Sequence, residues 1–201
     1  MHLRGLALVA ALVAFAVEAR ADDPRTGAYL AARAGLGASV GAFHHDTTTL
    51  GPEPRQVSVD ETRAGLVVDV GVAAGASVAP GWALALNAGA LVVPGEPMGL
   101  GHAGPLLDVY PGDQRVWHVQ GGASFGFALF SVGADFAAGA ESVKPPPSVL
   151  FGPVVHAGGG LALSDTWAPG VFAHVHVAPL FGDETTYVPF VFVAGADLRA
   201  F

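Results

Sequence analysis

The sequence predicts an all-β chain, an eight-stranded antiparallel up-and-down transmembrane β-barrel behind a cleavable export signal. Three observations carry this reading. Charged residues make up only 13% of a 201-residue chain that is 52% hydrophobic, about half the charge of an ordinary soluble domain. The apolar residues recur with period two, not 3.6, and the 28 Gly are spread along the segments, where each costs a helix about 1 kcal/mol. No stretch after Asp22 forms a continuous apolar helix: the richest, Ala64 to Pro94, is broken by Asp69, Pro80-Gly81 and Asn87. The same composition excludes other classes. Nine Lys+Arg against 17 Asp+Glu leave no basic footprint for nucleic acid, and the lack of Cys removes disulfide scaffolds, thiolate metal sites and Cys nucleophiles.

Residues 1 to 21 read as a secretory signal peptide: Arg4 supplies the basic start, Leu6 to Val17 the apolar stretch, and Ala19-Arg20-Ala21 the small-x-small cleavage site. Twelve apolar residues are short for a span, which needs about 20. Cleavage leaves Asp22 to Phe201 as one barrel domain.

Eight segments of that domain split by parity into an apolar face and a small or polar face. They are Tyr29 to Ser39, Ala64 to Ala74, Trp82 to Ala90, Val116 to Phe125, Phe130 to Gly139, Phe151 to Leu161, Val171 to Ala178 and Tyr187 to Phe201. In the second, Leu66, Val68, Val70 and Val72 alternate with Val67, Asp69 and Gly71. The connections alternate in length. Phe43 to Val59 and Pro94 to Asp113 read as long polar loops; Ser77 to Gly81, a bend at Gly126 to Leu129, and Ser164 to Gly170 read as short turns on the opposite side. Ser142 to Val149 and Gly182 to Thr186 complete the long-loop side.

In hydrocarbon every backbone N–H and C=O must be paired, so strands span only as a closed sheet, and eight is the smallest usual number. The apolar parity then faces lipid and the other parity faces the lumen. Trp82 and Trp167 beside short turns, with Tyr110, Trp117 and Tyr187 towards the long loops, suit two interfacial belts. A secreted soluble β-sandwich or lipocalin-like barrel shares the period and the turns, but accounts less well for a second parity made of Gly, Ala, Arg, Asp and His.

With its signal peptide, dyad alternation, alternating loops and terminal Phe201, the chain resembles the small eight-stranded outer-membrane β-barrel proteins of Gram-negative bacteria. The resemblance covers nearly all of Asp22 to Phe201. It implies insertion by the barrel-assembly machinery, with Phe201 as the recognition signal, and an outer-membrane location among lipid and lipopolysaccharide. Stepping back by twos from Phe201 gives Arg199 and Asp197, out of phase with Phe190, Phe192 and Leu198; a bulge near Arg199 would restore the phase.

His118, His156, His174 and His176 share the lumen parity. A turn centred near residues 166 and 167 places His156 opposite His176, with His174 one pleat away. His156, His174 and His176 are candidate ligands for zinc, copper or nickel, although filling a polar lumen is the more economical role. Arg33, Arg63, Asp69, His118, Asp135 and Glu141 are expected to form a mixed-sign lumen network, which plugs a barrel where a one-sign ring would select ions. His44-His45-Asp46 reads as a solvated loop with a surface metal site as the sharper alternative, and Glu53, Asp108, Asp113, Asp183 and Glu184 as loop acids within reach of divalent cations bridging lipopolysaccharide. No His is followed two residues later by Ser, as in the lipid A deacylases, and no Gly-x-Ser-x-Gly elbow occurs, so no enzyme is expected. No cofactor is implied and no protein partner can be named. Two functions stay open: a structural or loop-mediated interaction role, and a narrow pore for small solutes.

Overall fold

The computed structural model describes residues 27–94, 98–111, 116–130, 137–138, 141–142, 149–162 and 167–200. The signal segment, Asp113, Asp135 and Phe201 lie outside them.

The strands are β1 (Ala28–Thr48), β2 (Gln56–Ala79), β3 (Trp82–Val92), β4 (Met98–Val109), β5 (Trp117–Phe130), β6 (Ala137–Ala138), β7 (Glu141–Ser142), β8 (Val149–Ala162), β9 (Trp167–Val177), β10 (Leu180–Gly182) and β11 (Thr185–Ala200). β6 and β7 form a separate small hairpin; the rest pair antiparallel in one sheet that closes through β1 and β11. β9 and β10 both pair with β8 and β11 and are parted only at Ala178-Pro179, where a proline cannot donate to the ladder. They form one wall strand, so the barrel has eight.

Its dimensions follow from the registers. Starting at Ala34, neighbours run through Val70, Ala90, Gly101, Phe127, Phe151, Phe181 and Thr186, and return to β1 at His44. The stagger is ten residues, the interval from Ala34 to His44. With a rise of about 3.3 Å and a strand spacing of about 4.8 Å, that tilts the strands by about 40° and gives a radius of roughly 8 Å, a bore that side chains can fill. An apolar band about 25 Å tall then takes roughly ten residues per strand. β1 has 21 and β2 has 24, so their hairpin stands well beyond the band.

The parity reading holds along the wall. Leu36, Leu66, Val72, Phe125, Phe190 and Phe192 point outward and are exposed, while Tyr29, Val67, Asp69, His102, His174 and Val193 point inward and are buried. This inversion of a soluble barrel is what surrounding hydrocarbon requires.

Several expected boundaries need correction. The segment Pro94 to Asp113, expected as a loop, contains the full strand β4. Its proline hid it: Pro105 pairs with Leu86 on β3, while the β4–β5 ladder lapses at Gly104-Pro105, where Pro105 has no N–H to donate. The expected bend at Gly126 to Leu129 is instead continuous within β5, because Gly126 faces inward and leaves room for Val154, whose Cγ2 would lie 2.3 Å from an added Cβ. Consequently β5 pairs directly with β8, and of the strand expected from Phe130 to Gly139 the described residues place Phe130 at the end of β5 and Ala137–Ala138 in β6, the others lying outside the described residues. The loop expected from Phe43 to Val59 is mostly strand, leaving residues 49–55 as the connection. Trp117 lies at the same end as Trp82 and, like it, points outward, whereas Tyr110 and Tyr187 are buried in the lumen and belong to no belt. β11 runs to Ala200 without the bulge proposed near Arg199, so Asp197 and Arg199 point inward.

Candidate functional site

The lumen is stacked in three layers along the axis. Nearest the projecting hairpin is an apolar plug that includes Phe43, Val67, Leu100, Leu150, Leu180 and Tyr187. A void of about 20 Å³ lies within it, and another of about 10 Å³ lies deeper beside Arg33 and Arg199. Each has room for about one water.

At the opposite end, near the start of β1 and the end of β11, sits a layer organised by Asp108, a residue expected to be a loop acid. β4 brings it inward and fully buries it. Tyr29 donates to its Oδ2 at 2.9 Å and Tyr110 at 3.0 Å, His118 Nδ1 lies 2.8 Å from Oδ1, and Arg199 Nε approaches to 4.0 Å. Arg199 also donates through Nη2 to Asp197 and through Nη1 to the Tyr110 hydroxyl at 3.4 Å. Four wall strands and the segment just after β4 thus meet at one carboxylate.

The middle layer contains Arg33, Asp69, Asn87, His102, His156, His174 and His176. Arg33 Nε donates to Asp69 Oδ2 at 3.0 Å. His156 and His176 occupy opposite positions on β8 and β9, as the turn-centred count places them, with ring centroids 5.6 Å apart. His102 joins them, 5.8 Å from His156 and 5.6 Å from His176.

Glycine makes these layers possible. Arg33 faces Gly71, His102 faces Gly89, His118 faces Gly160, His156 faces Gly122 and His174 faces Gly158. A Cβ at each of these glycines would fall 2.1–2.8 Å from the side chain lying across it. A large polar group therefore folds over the strand beside it instead of colliding with a second side chain.

Of the residues proposed from sequence, Arg33, Asp69, His118, His156, His174 and His176 line the lumen. Arg63 lies higher, donating to Glu61 Oε2 at 3.0 Å and stacking its guanidinium 4.6 Å from the Phe43 ring. Glu141 belongs to the β6–β7 hairpin and not to the wall, which corrects its placement in the lumen network. Tyr29, His102, Asp108, Tyr110, Asp197 and Arg199 were missed as site residues. The alternation of Asp197 and Arg199 within an otherwise apolar strand was the available signal; Asp108 and His102 had none, because their strand was not recognised. Outside the lumen, His44 on the raised hairpin lies 2.8 Å from Asp60 Oδ1 and 3.3 Å from Asp46 Oδ2, while His45 turns inward beside Thr185 Oγ1 at 2.9 Å. Hydrogen bonds to Asp60 and then Asp46 raise the His44 pKa, and Asp46 is held low first by Ser58 and then by His44.

This architecture is shared with a solved structure. Neisserial surface protein A (NspA) superposes with a TM-score of 0.51 at 13% identity, over 87% of this chain and 98% of that one. The fold is that of a small outer-membrane barrel. The outer membrane protein OprG of Pseudomonas aeruginosa aligns with a TM-score of 0.49 at 14% identity, over 89% of this chain and 99% of its own. For Ail, the attachment invasion locus protein of Yersinia pestis, the values are 0.41, 11%, 83% and 97%. No protein-family model and no curated protein matches the chain.

Proposed function

We propose that the chain is exported by its signal segment and inserted in the outer membrane as a closed, non-conducting barrel that acts through the surface it raises on one side. The carrying observation is the filled bore. An apolar plug lies above two layers of buried polar side chains, with voids of only about 10 and 20 Å³ described among them. A solute or hydrated ion cannot cross side chains at that density without their displacement.

The outward belt of Leu, Val and Phe supports contact with lipid, and the exposed Trp82 and Trp117 support anchoring at one interface. On the other side, the β1–β2 hairpin carries Asp46, Glu53, Asp60 and Glu61 beyond the apolar band. It is the part of the molecule offered to lipopolysaccharide and other envelope components, and the reading includes no catalysis. Phe201 would serve the barrel-assembly machinery as the end signal.

Reconstitution of purified protein in planar bilayers tests this reading. Folded barrels, identified by the shift in gel mobility between unboiled and boiled samples, are expected to be electrically silent. Reproducible ion-selective steps would instead establish the narrow-pore alternative.

A further inference from the structure

We propose that His102, His156 and His176 form a three-imidazole site for a late first-row divalent metal ion, Zn²⁺, Cu²⁺ or Ni²⁺, in the middle of the barrel. The three rings come from β4, β8 and β9, and their centroids make a nearly equilateral triangle with sides of 5.6, 5.6 and 5.8 Å. With metal–nitrogen bonds of about 2.0–2.1 Å and the ring centre about 1.1–1.2 Å further out, three ligating imidazoles have centres about 5.2–5.5 Å apart at tetrahedral to trigonal angles. The triangle is therefore already within a few tenths of an ångström of the required size.

The nitrogens are also available. All three residues are buried, and five of their six ring nitrogens have no hydrogen-bond partner; the sixth, His156 Nε2, is only approached by Asn87 Nδ2 at 3.5 Å. As the rings stand, no three donor atoms among the described residues converge on a metal position. Binding requires the rings to turn, and χ2 is a soft and broad torsion whose rotation leaves the ring centres nearly in place. His174, 6.0 Å from His176 and unpartnered at both ring nitrogens, is the candidate for a fourth position.

The surroundings suit an enclosed cation. The described inward charges of the two polar layers are Arg33 and Arg199 against Asp69, Asp108 and Asp197, one negative charge in excess. Arg33 is the nearest competing cation, and Asp69 already pairs with it, keeping Oδ1 without a partner. Imidazole donors without thiolate favour zinc, copper and nickel over magnesium or calcium. The apolar plug closes one side of the layer and the Asp108 network the other, so metal is expected to enter during folding and to leave slowly.

The test uses the full mature chain, stripped with chelator in urea, refolded into detergent with Zn²⁺ or Co²⁺ present, and passed over a chelating resin. One metal per folded barrel is expected, with the visible spectrum of nitrogen-bound tetrahedral Co²⁺. His102→Gln, His156→Gln and His176→Gln should each weaken binding by more than the roughly 10–100-fold typical of losing a supporting residue around a site. His44→Gln should leave it unchanged. No retained metal in correctly folded barrels overturns the proposal, as does metal lost in His44→Gln but kept in the three lumen variants. Should a lumen variant fail to fold, X-ray absorption on the wild-type Zn²⁺ form decides: three or four imidazole ligands support the site, two or fewer overturn it.

Discussion

The two polar layers of the lumen share only β1 and β4 and are both buried, yet they differ in how their polar atoms are matched. Around Asp108 both carboxylate oxygens are engaged, by Tyr29, Tyr110 and His118, with Arg199 held close by. A few residues away His102, His174 and His176 leave every ring nitrogen unmatched. One layer is a set of mutually dependent charges centred on a fully engaged carboxylate, with His118 Nε2 and Asp197 Oδ1 left over at its margin, the kind whose interruption is costly. The other, beside its Arg33–Asp69 pair, holds imidazoles of which His102, His156 and His174 fit sterically over glycines but none is matched chemically to another. Burial alone therefore does not say which polar residues hold the barrel together.

The contrast can be broken most severely at Asp108. Asp108→Ala should destabilise the folded barrel by about 3–5 kcal/mol, since Arg199 and its neighbours would be left buried around a missing charge; urea unfolding followed by Trp fluorescence measures this. Gly158→Ala should cost about 1–3 kcal/mol by overpacking, because its Cβ would lie 2.1 Å from His174 Cδ2 and 2.3 Å from the Ala173 carbonyl. His174→Leu should fall within about 1 kcal/mol of wild type or stabilise slightly, as replacing an unmatched buried polar group with an apolar one of similar volume is nearly neutral. A loss as large as that at Asp108 would erase the distinction between the layers.

The smallest effect lies outside the lumen. His44 lies between Asp60 and Asp46, and its pKa is raised from 6.5 by hydrogen bonds to them. The order it contributes to the hairpin should be complete below pH 6.5 and fade as pH rises through the raised value. Amide protection factors at residues 42–48 and 58–62, corrected for intrinsic base-catalysed exchange, should therefore fall on the alkaline side, and His44→Gln should remove that fall without changing barrel stability.

Parity along the strands was legible because lipid and lumen impose opposite chemistries on alternate residues. Arg33, Asp69, His118, His156, His174 and His176 were all read onto the correct face for that reason. Strand location was less legible where glycine and proline serve the wall instead of ending it. Pro105 made β4 look like a loop and concealed both His102 and Asp108, while Gly126 made β5 look bent and displaced the next strand to Phe130. Pairing across strands far apart in sequence leaves no local trace. The role of Asp108 therefore emerges only once Tyr29 and Arg199 are brought beside it.

The closure between β1 and β11 also has a bearing on how the protein comes into being. It joins Leu30 to Ala200 and His45 to Thr185, pairs between 140 and 170 positions apart. Contacts of such long range are slow to form, because much chain entropy is lost before they contribute. Until Thr185–Ala200 has been made, β1 and the strand before β11 each present a raw hydrogen-bonding edge, and neither can remain in hydrocarbon. An unclosed sheet therefore cannot settle in hydrocarbon strand by strand: the pairing of β1 with β11 and entry into the apolar phase have to come together, late, once both edges exist.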